Sequence, residues 1–352
     1  RFENLTGKHN LRWEWYDPSG NLYYSTDNFP FKTSRNKYLP LATAWHGLSI
    51  KGEPAANDTG QWEVKVFLDN ELMDTKLFLL KEYKDAILLP AGFAQRPYPK
   101  DWGLIIGIED YAHLPSVDYA RKDALILKEY FIKVLGVPEE NVIFLIDSDA
   151  TKAQLEGYLK DYIPSNVSHE STLYVYFAGH GSPGKKKGEP YIIPYDGDTR
   201  FNDHTGYTLV NFYKDLNTLK IQNVYVFLDS CFSGVAARAA EMLVKGARPA
   251  LIHVKDVSPP SGSIISLSAT SSGQISNAFP EKEHGLFTYY LLRALNGGAD
   301  SNDDGWTTVK EMYGYVKGHV TRVARRMSAE QTPVLMPAPK KLKDVAISKV
   351  PR

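Results

Sequence analysis

Two short runs constrain this chain more than anything else in it. Leu173-Tyr-Val-Tyr-Phe-Ala178 leads into Gly179-His180-Gly181, and Val224-Tyr-Val-Phe-Leu228 leads into Asp229-Ser-Cys-Phe-Ser-Gly234. Each run is β-branched and aromatic, has no polar face, and ends in Gly and small polar residues. Such a run reads as a strand buried on both faces that stops in a functional loop. A strand buried on both faces needs helices above and below it, so the surrounding chain must supply βα units.

It does so from Trp102 onward. Leu104–Ile108, Asn141–Ile146, the two runs above and Ser263–Leu267 read as strands, with Val334-Leu335 as a short last one. Helices are expected over Asp118–Leu135, Thr151–Tyr162 with Thr151 as cap, Thr208–Leu219, Gly285–Leu295 and Thr307–Arg326. The expected class is α/β, a mostly parallel sheet flanked by helices. Ligand sites in such sheets lie beyond the carboxyl ends of strands, where both motif loops fall.

The first 84 residues read differently. Leu11–Tyr16 and Asn21–Tyr24 flank the turn Asp17-Pro-Ser-Gly20. Gln61–Leu68 alternates at period two, turns at Asp69-Asn70 and returns through Leu77–Leu80. This pattern predicts a small all-β, immunoglobulin-like sandwich without chemistry of its own. The expected layout is a β-sandwich over 1–84, a Pro/Gly-rich linker over 85–101, the α/β domain over 102–340 and a C-terminal tail over 341–352.

Composition removes several functions. The 41 basic and 41 acidic residues cancel, so no electrostatic nucleic-acid partner is expected. No apolar stretch reaches the ~20 residues that span a bilayer. Cys231 is the only cysteine, which excludes an internal disulfide framework and a Cys-rich zinc site. The chain starts at Arg1 rather than Met, and with a β-sandwich leading, a secreted or extracytoplasmic location is expected. A monomer is expected.

The two motif loops carry one half each of a thiol/imidazole couple. A thiol is mostly protonated at neutral pH, and a nearby imidazole takes its proton or stabilises the thiolate. The glycines around His180 admit a substrate closely, and the amides of Gly181 and Cys231 are candidate oxyanion donors. Asp229 stands two residues before Cys231, a spacing that returns its side chain to the same side of an extended strand end. A carboxylate there pairs with a cationic substrate group.

The region from Trp102 to about Pro337 resembles the caspase-like cysteine peptidases, within them the prokaryotic caspase and metacaspase branch. The resemblance rests on Phe177-Ala-Gly-His-Gly181, Leu228-Asp-Ser-Cys-Phe-Ser-Gly234, Leu104-Ile-Ile-Gly107, Asp123-Ala124 and Gly285-Leu-Phe-Thr-Tyr289. It implies a peptidase on a six-stranded sheet, with His180 as base or acid and Cys231 as nucleophile. It also implies that Asp229 and Asp123 line the pocket for the residue before the scissile bond, so that cleavage follows Arg or Lys. Ser268, Ala269 and Thr270 would run beside the substrate backbone. Ala120 departs from the pattern, which often has Cys there. Self-processing is expected at Gly184-Lys-Lys-Lys-Gly188 or within Ala236–Pro259. The alternative is a vestigial caspase-fold scaffold for adhesion or signalling.

Asp300-Ser-Asn-Asp-Asp-Gly-Trp-Thr-Thr-Val-Lys-Glu311 also fits a twelve-residue calcium loop. Asp300, Asn302, Asp304, the Trp306 carbonyl and Glu311 are the candidate ligands. Any calcium would be structural, because a Cys/His peptidase needs no cofactor.

Overall fold

The computed structural model describes residues 2–5, 8–26, 28–32, 39–42, 60–80, 98–184, 189–232, 259, 263–271 and 274–350. Both expected self-processing stretches lie outside these residues, apart from Gly184 and Pro259 at their margins, as does most of the expected linker. The chain divides into two compact units, residues 1–86 and 87–352.

The first unit is all-β where described. Its strands are β1 (Phe2–Leu5), β2 (Lys8–Tyr16), β3 (Leu22–Ser25), β4 (Phe29–Lys32), β5 (Leu39–Ala42), β6 (Gly60–Leu68) and β7 (Glu71–Leu80). One antiparallel sheet runs β3-β2-β6-β7 with β4 also on β2, and β1 pairs β5. Both expected hairpins form. Asp69 and Asn70 take positive φ of 51° and 70° at the β6–β7 turn, which short polar side chains tolerate and which suits the twist of a two-residue hairpin. Leu11, Trp13, Trp15 and Leu68 make a small buried cluster.

The second unit follows the βα pattern. In order it contains β8 (Trp102–Gly107), α1 (Ala120–Lys133), β9 (Val142–Ile146), α2 (Lys152–Gly157), α3 (Ile163–Asn166), β10 (Thr172–Ala178), β11 (Gly181–Pro183), β12 (Pro190–Ile192), α4 (Asn202–Thr205), β13 (Tyr207–Thr208), α5 (Leu209–Thr218) and β14 (Asn223–Asp229). After these come β15 (Ile264–Ser268), β16 (Ala278–Phe279), β17 (His284–Gly285), α6 (Leu286–Arg293), β18 (Trp306–Thr308), α7 (Val309–Arg326), β19 (Val334–Met336) and β20 (Ala346–Lys349). The central sheet has six strands in the order β19-β15-β14-β10-β8-β9. All its pairs are parallel except β15–β19.

Alternate residues of each central strand feed two separate cores. Ile105, Tyr174, Tyr176, Tyr225, Phe227 and Leu267 pack with α1, α6 and α7. Leu104, Ile106, Val175, Phe177, Val226 and Leu228 pack with α2 and α5. That explains why β10 is buried at every position and reads as a continuous apolar run. Gly107 lets α1 press onto the sheet, since a Cβ there would lie 2.5 Å from Ala124 Cβ and 2.8 Å from the Ala120 carbonyl. Ala120, where the resembled pattern often has Cys, is accordingly a buried contact residue.

Three expectations need correction. The helix starting at the Thr151 cap is not uniform: it widens to π geometry over Tyr158–Tyr162 and continues through α3 to Asn166. Thr307 is not helical but belongs to β18, and α7 starts at Val309 behind the Thr308 cap. The stretch 341–352 is not a free tail, because Ala346–Lys349 pairs antiparallel with Trp306–Thr308 and Ile347 is buried.

Phe131 is fully buried on α1, 5.8 Å from the Tyr174 ring centroid. Phe131→Ala should destabilise the second unit by about 3–5 kcal/mol, read as a lower urea midpoint.

Candidate active site

Register brings the two motifs together. In the parallel pair β10–β14, Ala178 stands opposite Asp229. His180 and Cys231 are each two positions beyond that pair, so the chain releases them side by side at one edge of the sheet. Two backbone features tie the loops. Gly179 N donates to Asp229 O at 3.3 Å. Gly181 packs so closely that an added Cβ would lie 2.7 Å from the Cys231 carbonyl oxygen. His180 and Cys231 both line a cleft of about 230 Å³, together with Asp123, Asp229, Ser276 and Gly285.

His180 is buried and held on two sides. Its amide donates to Tyr111 Oη at 2.7 Å, and its ring lies 4.9 Å from the Tyr111 ring. Its Nε2 lies 2.8 Å from the Pro115 carbonyl oxygen. A carbonyl only accepts, so Nε2 carries a proton and Nδ1 is the basic nitrogen of the neutral ring. Burial pushes the imidazole below its ordinary pKa, and the Pro115 bond opposes that. The loop that carries Tyr111 and Pro115 is anchored by Asp147, whose Oδ1 accepts from the Glu109 and Asp110 amides at 2.8 and 3.0 Å. Arg121 Nε adds a bond to Asp147 Oδ2 at 2.6 Å.

Cys231 is partly exposed to the cleft. Its surroundings push the thiol above its usual pKa, first by burial and then by the charge of Asp229, against the pull of the Ser276 amide. A raised thiol and a lowered imidazole favour the neutral pair in the resting state. The proton then moves to the ring as the sulfur attacks.

Both acidic candidates reach the cleft floor, and both are buried. Asp229 accepts from Ser276 Oγ at 2.5 Å on one oxygen and from Thr288 Oγ1 at 2.6 Å on the other. Burial still holds its pKa above the ordinary value. Asp123 does not cap its own helix. It turns to His284 Nδ1 on one oxygen and to the Gly285 amide, at 2.8 Å, on the other. Burial pushes it up to about 6, with His284 acting in the opposite direction. Gly285 separates the two groups; a Cβ there would lie 2.5 Å from Asp229 Oδ2 and 3.2 Å from Asp123 Oδ2.

Ser268, Ala269 and Thr270 are not among the residues lining this cleft. Ser268 pairs within the sheet, Ala269 is fully buried with its amide on Leu228 O at 2.8 Å, and Thr270 Oγ1 reaches the Ser230 carbonyl at 3.5 Å. Ser276, Asn277 and Ala278 line the cleft instead. Gln331 holds this stretch, accepting from the Asn277 amide at 2.9 Å and donating to Ser276 Oγ at 3.2 Å. Tyr111, Pro115, Ser276 and His284 carried no functional signal in the sequence, and Thr288 was marked only as part of the Gly285–Tyr289 motif. Pro115 acts through its carbonyl, which any residue supplies, and Tyr111 is one of 22 tyrosines.

The candidate calcium loop serves itself and the helix that follows. Glu311 closes a capping box on α7, accepting from Thr308 N and Oγ1 at 3.0 Å, and its other oxygen takes Ser301. Asp300 accepts from the Asp304 and Gly305 amides, Asn302 from the Asp304 amide, and Asp304 from the Trp306 amide. Among the described residues no three His, Cys, Asp or Glu side chains converge to hold a metal ion.

A mostly parallel sheet flanked by helices, with a thiol and an imidazole released from adjacent strand ends above a carboxylate floor, defines an α/β fold with its candidate site beyond the strand carboxyl ends. Residues 100–342 match the model of the Caspase domain, and the chain belongs to that family. The family points to cysteine-peptidase activity and so to peptide or protein substrates. Two crystal structures are similar. One is a protein of Geobacter sulfurreducens, at 20% identity and a TM-score of 0.47 over 70% of this chain and 97% of that one. The other is caspase-1 from Spodoptera frugiperda, at 14% identity and a TM-score of 0.46 over 73% and 94%. Comparison with curated proteins gave no match. Among the described residues no helix is long and apolar enough to cross a membrane.

Gly285→Ala should force the two carboxylates apart or displace the β16–β17 hairpin. The expected readout is weaker binding of benzamidine, a small cationic probe, by roughly tenfold or more, with the thermal midpoint lowered.

Proposed function

We propose that this protein is a cysteine endopeptidase that cleaves after Arg or Lys, with Cys231 as nucleophile and His180 as general base and acid. One observation carries the reading: the thiol, the imidazole and two buried carboxylates open onto a single cleft. Buried carboxylates of this kind demand a partner, and a guanidinium or ammonium entering the cleft supplies one. The carboxylate pair suits the metacaspase-like branch rather than caspases that bind Asp.

The reaction proceeds as follows. The substrate's cationic side chain enters between the cleft walls toward Asp229 and Asp123, which brings the following carbonyl over Cys231. The sulfur attacks the carbonyl carbon while the thiol proton passes to His180 Nδ1. The amides of Gly181 and Cys231 receive the oxyanion. The tetrahedral intermediate collapses, His180 gives the proton to the leaving amine, and the C–N bond breaks. Water, deprotonated by His180, then releases the acyl group and restores the thiol. The Pro115 carbonyl stabilises the imidazolium through Nε2–H in each half-reaction.

The unit at residues 1–86 serves in this reading as an immunoglobulin-like interaction or spacer module. Self-processing follows from the specificity, since Lys185, Lys186 and Lys187, and Arg238, Lys245, Arg248 and Lys255, supply cleavable bonds.

Cys231→Ala should abolish cleavage of peptides ending in Arg or Lys at the reporter bond and leave the fold intact by circular dichroism. A rate equal to wild type rejects the mechanism. Failure of the native thiol to react with an Arg-based chloromethylketone favours the vestigial scaffold. Asp229→Asn should raise KM for the same reporters by about tenfold to a hundredfold, as expected when one partner of a buried ion pair is lost. The pH profile has a defined sign. Asp123 loses its charge as pH falls through about 6, so KM for cationic reporters should rise there. The acid limb of kcat, set by the lowered His180, should lie below that of an ordinary histidine.

A further inference from the structure

All the side-chain and amide donors that the structure gives the two pocket carboxylates come from one stretch of chain, residues 276–288. Ser276 and Thr288 take Asp229, and His284 and the Gly285 amide take Asp123. Three of these four are small residues or backbone. His284 is different: it is a large ring with no exposure at all, directly before the cleft-lining Gly285 and bonded to the other oxygen of the Asp123 carboxylate.

We infer that His284 is a positioning residue for substrate selection: its ring holds the Asp123 carboxylate at the cleft floor, where that carboxylate joins Asp229 in receiving a cationic side chain. This rests on the Arg/Lys reading above and adds a residue to it.

The argument is one of geometry. The antiparallel pair β16–β17 sets His284 opposite Phe279 and Gly285 opposite Ala278. Gly285 and Ala278 line the cleft, while His284, the next residue along, is turned into the protein interior. Its Nδ1 and the Gly285 amide therefore take the two oxygens of one carboxylate from adjacent positions. Asp123 is fixed in rotation as well as in position. The Tyr289 ring, 5.9 Å from the imidazole centroid, packs against the His284 ring. Lys122, next to Asp123, pairs with Glu283, next to His284, at 3.0 Å and ties α1 to the same hairpin.

The charges around the pair are Asp229 from β14, and Lys122 and Glu283 from its own flanks. Asp229 works against ionisation of Asp123, as burial does; the hydrogen bond from His284 works for it. A donor at this point keeps an anion beside a second anion, which two carboxylates in one dry site do not otherwise sustain. A leucine in place of His284 would fill the interior but leave Asp123 with the Gly285 amide alone.

The test uses the full chain and Arg- and Lys-ending reporters, with an uncharged reporter in parallel. His284→Leu should raise KM for the cationic reporters on the order of tenfold, with kcat changed by about twofold or less, the size expected for one lost charge-assisted hydrogen bond. The acid limb of kcat/KM should move up by about one pH unit. His284→Gln, which keeps a donor, should recover most of both. In wild type, 15N-labelled histidine should show His284 Nδ1 protonated, with its signal shifting when benzamidine is added; this arm stands if the variants do not fold. An unprotonated Nδ1, or a His284→Leu protein with wild-type KM and acid limb, overturns the inference. Wild-type protein without preference for Arg or Lys over the uncharged reporter instead overturns the pocket reading itself.

Discussion

The register of one pair of parallel strands governs the site. Ala178 opposite Asp229 makes the two loops leave the sheet at the same height, and the Gly179–Asp229 bond and the close packing of Gly181 on Cys231 build on that register. A slip of one residue would turn every side chain of β14 to the other face. The register is strongly specified because both faces are committed: Tyr225 and Phe227 to one core, Val226 and Leu228 to the other. The cost of misplacing such residues protects the geometry of the cleft, although none of them lines it.

The same economy of elements holds for the charges. Two carboxylates buried within one cleft are unfavourable unless each has donors, and a single hairpin with the start of α6 provides them. Gly285 is the closest point between the groups and leaves no room for a side chain. Gln331, from beyond α7, fixes Ser276 and Asn277 in turn. The floor of the cleft is therefore set by contacts between segments far apart in sequence, whereas the thiol and imidazole are set by two neighbouring strands.

This difference explains what was legible beforehand. The runs before His180 and Cys231 announce themselves because strands buried on both faces must be apolar throughout, and Asp229 stands out as a charge at the end of one. The βα alternation predicts the sheet, with helix starts correct to within a residue where N-caps such as Thr151 and Thr208 act. Other parts carry no local mark. The Pro115 carbonyl, the Tyr111 hydroxyl and the His284 ring acquire meaning only from partners 65, 69 and 161 residues away. The acidic loop at Asp300–Glu311 is legible by spacing alone: its oxygens follow the pattern of a cation site, and in the fold they accept from nearby amides and hydroxyls, as short polar side chains in turns tend to do. The last strand was invisible because Ala346–Lys349 is short and has a partner, Trp306–Thr308, that read as the end of an acidic loop and the start of a helix.

The two effects that raise the Cys231 thiol bear on how the proposed reaction is controlled. Burial raises the thiol of Cys231, and the negative charge of Asp229 raises it further. A cationic side chain bound beside Asp229 opposes that second effect, because its charge offsets the carboxylate's field at the sulfur. In the proposed peptidase, the substrate that fits the pocket is then also the one that makes the nucleophile easier to ionise. A peptide without a cation leaves Asp229 uncompensated and the thiol in its less reactive state. Selection and activation thus meet at one carboxylate, two residues from the sulfur. That arrangement accounts for placing an anion so near a nucleophile it would otherwise suppress.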